Sequence, residues 1–153
     1  MRFRIFAAAG RRRSVGRLAT GASILLTVLL VGGCATDGRA MALNDTLEAY
    51  RKTIRWEAPL TAAQFLHPEE RPAERQLGFQ INRLEQFQVT IYQAMGPGSF
   101  SADGDFVQTI QINLINRHTM REKVLQDRQV WRWDEERERW WLTSGLPDPA
   151  KAR

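Results

Sequence analysis

The chain has 153 residues, 43% of them hydrophobic and 25% charged, with one cysteine and a formal net charge of +5. That length holds one domain of ordinary size, and the apolar share argues against a wholly disordered chain. The charge is unevenly placed: residues 1–33 carry 6 arginines (Arg2, Arg4, Arg11, Arg12, Arg13 and Arg17) and no acid, so 22 less 6 leaves 16 basic residues against 17 acidic ones from Cys34 onward. At −1 the remainder lacks the basic surface that neutralises phosphates, and no nucleic-acid partner is expected.

The first stretch reads as three zones: an arginine-studded start, an apolar run at 22–31 (ASILLTVLLV), then Gly32, Gly33 and Cys34. This order is the plan of a secretory signal peptide. The run is too short to persist as a membrane span, because a helix crossing the hydrocarbon core needs roughly 20 apolar residues. Arginines before it stay on the cytoplasmic side, so the remainder of the chain is exported. Arg12-Arg13 has the look of a twin-arginine signal, but Val15 and Gly16 stand where hydrophobic residues would come next, which favours the general secretory route.

Val31-Gly32-Gly33-Cys34 resembles the lipobox of bacterial lipoproteins: an aliphatic residue, two small ones, then cysteine. The resemblance implies cleavage between Gly33 and Cys34, a diacylglyceryl group on the Cys34 sulfur and a further acyl chain on the new amine. A lone cysteine in an exported chain cannot form an internal disulfide, and lipidation removes the oxidation liability of a free thiol. One acyl chain holds a protein only reversibly, whereas two or three make attachment long-lived. Ala35, rather than Asp, comes after the cysteine, which by the same resemblance favours the inner leaflet of the outer membrane of a Gram-negative cell, facing the periplasm. The expected organisation is therefore a signal peptide over 1–33, a lipidated tether over 34–40, a small domain over 41–145 and a tail over 146–153.

Within the domain, Asp45-Thr46-Leu47-Glu48 fits a capping box, and Leu43, Leu47, Tyr50 and Ile54 recur at helical spacing, predicting a helix through Trp56 with one stripe facing the core. Pro59 ends that register. Thr61 and Gln64 begin a short helix closed by His67-Pro68. Pro72 starts a third, with Leu77, Ile81 and Leu84 on one side, although Gly78 and an alternation at Phe79 and Ile81 compete with it. From about Glu85 the period becomes two. Phe87, Val89, Ile91 and Met95 form a half-buried strand that breaks at Gly96-Pro97-Gly98, and Phe106, Ile110, Ile112 and Leu114 mark the inner face of the next. Two more strands lie near 122–133 and 137–143.

Helices first and a meander after them predict an α+β domain, with N-terminal helices packed on a four-stranded curved antiparallel sheet. The element order, with tryptophan-rich last strands, resembles the ketosteroid-isomerase-like and polyketide-cyclase-like (cystatin-like) group. That resemblance implies a roll whose sheet wraps a long helix.

Chemistry rests on few residues. If the hairpin after the second long strand turns at Thr119-Met120, Arg117 lies opposite Glu122, Leu114 opposite Leu125 and Ile112 opposite Asp127. Asp127 then points toward the helices, with Gln129, Trp131 and Trp133 on its face and Gln93 beside it from the first strand. A carboxylate among apolar walls has a raised pKa suited to proton transfer, and the resembled enzymes use pocket Asp residues, so Asp127 is the one catalytic candidate. A one-residue slip would send it to solvent, and pairing with Arg83 or Arg128 would make it structural. His118 at the turn and His67 beside Pro68 offer no second partner. Four of the five tryptophans lie between Trp131 and Trp141, flanking an acid-rich hairpin tip. Depending on loop length Trp131 meets Trp140 or Trp141, and either way one of that adjacent pair faces out, where it and Arg132 would suit an envelope protein partner or a glycan. Gln129, Trp131, Trp140 and Trp141 are thus the binding candidates. No metal or cofactor site is expected, since two distant histidines and one acylated cysteine give no ligand spacing. The reading that results is a lipid-anchored envelope protein with a small non-catalytic domain that binds a protein partner or a small ligand. Its rivals are a pocket enzyme using Asp127 and a structural component with no ligand.

Overall fold

Residues 31–153 are described by a computed structural model, with side chains from Gly38 on. The signal-peptide expectation, apart from residues 31–33, and the Cys34 side chain lie outside what is described. The chain from Gly38 to Arg153 forms one compact unit.

Helix α1 (Val31–Trp56) already runs through the residues expected to form a tether. The capping box at Asp45 therefore has no free helix start to cap. Thr46 turns its hydroxyl back onto the Ala42 carbonyl at 2.7 Å, and Glu48 pairs with Arg51 at 2.7 Å and Lys52 at 3.6 Å. The apolar stripe faces inward as its spacing requires: Leu43 and Tyr50 are buried, and Leu47 and Ile54 pack against the same core. α2 (Pro59–Ala62) starts two residues earlier than Thr61, because Pro59 takes the first helical position, where its missing N–H costs nothing. A 3-10 turn (Ala63–Phe65) comes next, and the Leu66 strand-like bridge to Leu142 covers the outer edge of the last strand. α3 (Glu74–Glu85) resolves the competing alternation in favour of a helix, with Ile81 and Leu84 buried and Phe79 left in solvent.

The strands are β1 (Phe87–Ala94), β2 (Ser99–Phe100), β3 (Phe106–Asn116), β4 (Glu122–Asp134) and β5 (Arg139–Leu142). Their order is β1-β3-β4-β5, every neighbour antiparallel, and β2 continues alongside β3 beyond the Gly96-Pro97-Gly98 break. The result is an α+β arrangement, a curved antiparallel sheet packed against several helices. Gly98 is required at the break, because the Phe106 ring occupies the space a β-carbon would take.

Both long hairpins differ from the two- and three-residue loops expected, and for the same reason. Each has a four-residue loop opened by an Asn or Asp side chain that accepts backbone N–H groups, and closed by a residue in the left-handed region. Asn116 Oδ1 accepts from His118 N at 3.0 Å and Thr119 N at 2.9 Å, with Met120 at φ 56°. Asp134 Oδ1 accepts from Glu136 N and Arg137 N at 3.0 Å each, with Glu138 at φ 47°. Asx side chains organise such turns without a glycine.

In β3–β4 the longer loop moves the register by two residues. Ile110 rather than Ile112 lies opposite Asp127, Ile112 opposite Leu125, and Ile115 rather than Arg117 opposite Glu122. An even shift preserves the face, so Asp127 still points inward. In β4–β5, Trp133 lies opposite Trp140 and Trp131 opposite Leu142, replacing both alternatives read from the sequence.

β1 carries a bulge between Val89 and Ile91. The extra residue reverses the alternation beyond it, so Ile91 is 42% exposed and Tyr92 turns to the core instead. Tyr50 is the aromatic hinge of the core, edge-on to Phe65 at 5.2 Å and to Trp131 at 5.1 Å. Such aromatic pairs add roughly 0.5–1.5 kcal/mol each beyond their area burial. A second cluster, Ile110, Ile112, Leu114 and Leu125, lines the sheet toward its other end. Residues 146–153 dock rather than trail: Leu146, Pro147 and Pro149 are buried, Arg83 pairs with Asp148 at 3.0 Å, and Arg153 exchanges backbone hydrogen bonds with Val124.

Candidate functional site

Asp127 sits at one end of a polar seam running through the apolar interior. Gln129, fully buried, donates from Nε2 to Asp127 Oδ2 at 2.9 Å and accepts at Oε1 from Gln108 Nε2 at 2.9 Å. The Tyr92 hydroxyl lies 3.0 Å from that Nε2 and 3.2 Å from that Oε1. Gln93, the residue expected here, is exposed, because the β1 bulge hands its place to Tyr92. Burial pushes the Asp127 carboxyl above its ordinary value, and the Gln129 hydrogen bond and the Lys151 charge oppose that rise. Burial likewise pushes the Tyr92 and Tyr50 hydroxyls up, with the Asp127 charge adding to both, and the Tyr50 hydroxyl has no hydrogen-bond partner. Neither arginine suggested as a structural partner reaches Asp127: Arg83 pairs with Asp148, and Arg128 is exposed.

A raised carboxyl beside two tyrosines is a proton-transfer arrangement only if a substrate can reach it. Asp127 is not among the residues lining either of two cavities formed by the described residues. One, of about 220 Å³, is bounded by α1, β1 and β3 and touches the seam only through Tyr92 and Gln108; its ionic groups, Glu48 and Arg51, already pair with each other. His67 and His118 lie away from the seam. The His67 Nδ1 accepts from the Glu69 N–H, and its ring meets Trp141 edge-on at 6.0 Å, while His118 is exposed in the β3–β4 turn.

The binding candidates on β4 and β5 are all inside. Gln129, Trp131 and Trp140 are at most 1% exposed. Trp141 does face away from Trp140, yet it is covered rather than presented. The Arg139 guanidinium lies 3.9 Å over its ring, and its indole Nε1 donates to Asp134 Oδ2 at 3.2 Å. Arg132 is engaged by Asp105 at 3.2 Å and Glu70 at 2.7 Å. The expected outward tryptophan surface is therefore not formed, because the four-residue loop lets the hairpin tip fold its own charges over Trp141.

Sequence reasoning missed the larger concavity, about 350 Å³, at the C-terminal end of α1. It lies about 26 Å along that helix from Gly38, at 1.5 Å per residue. Its apolar wall comes from Ile54, Leu84, Phe87, Val89, Ile112 and Leu114, and Arg55 and Arg117 stand on it. The volume is at the lower end of ligand pockets, about 300–1,000 Å³. Only an interruption in the pattern hinted at it: the Glu57-Ala58-Pro59 corner stops α1 just where the sheet's second apolar cluster continues. Among the described residues, no group of three His, Cys, Asp or Glu side chains could hold a metal, and no helix is long and apolar enough to cross a membrane.

The site and sheet define the class only as an α+β domain with an apolar cleft. Comparison with protein-family models, curated proteins and solved structures finds no match.

Proposed function

We propose that this chain is a lipid-anchored lipoprotein of the cell envelope, held through acylated Cys34, whose domain binds a small apolar ligand without transforming it. The observation that carries the binding role is the 350 Å³ cleft, apolar along its wall and lined by no histidine, cysteine or buried carboxylate. The leader and the Val31-Gly32-Gly33-Cys34 pattern support the anchor and a periplasm-facing location in the outer membrane. The long helix against a meander supports a cystatin-like roll, in which the cleft is the open end between helix and sheet.

Two measurements test this reading. Lipid extracted with the native protein should be covalently bound to Cys34, and Cys34→Ala should abolish labelling by radioactive fatty acid; a wild-type chain that stays unlabelled refutes the anchor. The neutral fluorophore N-phenyl-1-naphthylamine should light up on the full chain, and Val89→Trp, which fills the cleft, should abolish that signal without lowering the melting temperature. An unchanged signal refutes the cleft. A pocket enzyme using Asp127 is the second reading, favoured by the raised pKa of that carboxyl. It requires substrate to reach a group that lines neither of these two cavities.

A further inference from the structure

We propose that the cleft at the end of α1 selects a single-tailed amphiphile with an anionic head, the tail lying on the sheet wall and the head meeting Arg55 and Arg117. This deepens the ligand-binding reading above and rests on it.

The cleft carries arginines that have no internal ion-pair partner among the described residues. Four ionic residues line the cleft: Arg55, Arg117, Glu57 and Glu85. Among the described residues no carboxylate comes within ion-pair distance of either arginine; both glutamates and Arg117 are exposed, and Arg55 is half-buried. The contrast is with the smaller cavity, where Arg51 is already taken by Glu48 at 2.7 Å.

Both guanidinium groups are nevertheless held in place. The Arg55 guanidinium stacks over Trp56 at 4.7 Å, and its Nε is buried with no acceptor. Arg117 is fixed through its Nε, which donates to the Phe87 carbonyl at 3.3 Å, and through its backbone N–H, which donates to Gln86 O at 2.8 Å. The Arg55 Nε is one of five buried side-chain polar atoms without a partner among the described residues, and the only one of them on a residue lining this cleft, which leaves it a free donor for an acceptor there. Guanidinium is charged at every physiological pH and its planar fork matches a carboxylate or phosphate, so the acceptor these residues fit is an anion.

Beneath the arginines the wall is hydrocarbon, from Ile54, Phe87, Val89, Ile112 and Leu114. A free inorganic anion would leave that wall wet, and a neutral alkane would leave the arginines unanswered. An amphiphile satisfies both. The volume of about 350 Å³ is enough for one short tail.

The test uses the full chain in phospholipid nanodiscs, with empty discs as the blank, and equilibrium dialysis of radiolabelled octanoate, octyl phosphate, octanol and octyltrimethylammonium. Octanoate or octyl phosphate should bind saturably, one per chain; which binds more tightly distinguishes a fatty acid from a phosphate-headed lipid. Octanol should bind at least about tenfold more weakly, the size of one lost charge-assisted interaction, and the cation not at all. Each methylene added to the carboxylate should tighten binding about fourfold until the wall is covered. Arg55→Gln with Arg117→Gln should cost octanoate about tenfold and leave octanol unchanged, and Arg55→Glu with Arg117→Glu should transfer preference to the cation. Octanol binding as tightly as octanoate, or charge variants without effect, overturns the anionic head while the ligand-binding cleft stands. Failure of all four probes together with the neutral fluorophore overturns both.

Discussion

Gln129→Leu isolates the amide that holds the polar seam together, at nearly constant volume. In the folded chain Gln129 donates to a carboxylate, accepts from Gln108 and contacts the Tyr92 hydroxyl. A hydrogen bond to a charged group is worth about 1.5–3 kcal/mol and a neutral one about 1, giving a gross loss of roughly 3.5–5 kcal/mol. A buried leucine side chain recovers roughly 1–2 kcal/mol of that, leaving a net loss of roughly 1.5–4 kcal/mol at neutral pH. For a domain of this size about 4 °C accompanies each kcal/mol, so the melting temperature should fall by roughly 6–16 °C. The loss should also depend on pH. The Gln129 donor favours the ionised form of Asp127, whose folded pKa already lies above the ordinary 3.8 because of burial. Once Asp127 is protonated in both folded and unfolded chains, at about pH 3, that donor no longer discriminates and the charged part of the loss disappears. Urea denaturation of both proteins across pH is the assay. A loss of the same size at acid and neutral pH would show that the seam is not organised around an ionisable carboxyl.

Asp127→Asn should act in the opposite sense. A carboxyl with a raised folded pKa makes the native state bind more protons than the unfolded one, so stability is lost as pH rises from 3.8 through the folded value; the substitution should raise the melting temperature at neutral pH and leave it unchanged in acid, as scanning calorimetry would show. Trp131→Ala removes the ring against which Tyr50 and Phe65 stand edge-on, and should cost about 3–5 kcal/mol in urea denaturation. Gly98→Ala drives a methyl group into the Phe106 ring and should cost about 1–3 kcal/mol, whereas the same change at Gly78, which has open space, should stabilise by at most about 1 kcal/mol. Met120→Gly, at φ 56°, should gain about 1 kcal/mol by relieving left-handed backbone strain.

The helical stripe Leu43, Leu47, Tyr50 and Ile54 is legible directly, because each position lies on one side of a 3.6-residue repeat and the sheet needs a cover. The inner face of β3 is legible for the same reason at period two. What stays illegible turns on single residues that periodicity cannot count. The start of α1 is hidden because Asp45-Thr46 is a good cap wherever a helix begins, and nothing local says that the helix has already begun. Both hairpin loops read too short from the sequence, since an Asx residue with a left-handed Met120 or Glu138 does without the glycine that marks such turns. Asp127 falls on the correct face with the wrong partner only because that error is even. The cleft escapes notice because its walls, around Ile54, Leu84 and Leu114, come together from three distant parts of the chain and look locally like ordinary core.

The extra residue at Thr90 has a consequence for what the molecule avoids becoming. β1 has β3 on one side and no strand on the other among the described residues, and a straight border of that kind is a template for another chain. Excising Thr90 would leave Tyr92 opposite Ile112, in its seat beside Gln129, and iron the border flat. One deleted codon would thus convert a well-behaved sheet into a nucleus for stacking, with sedimentation of oligomers as its signature.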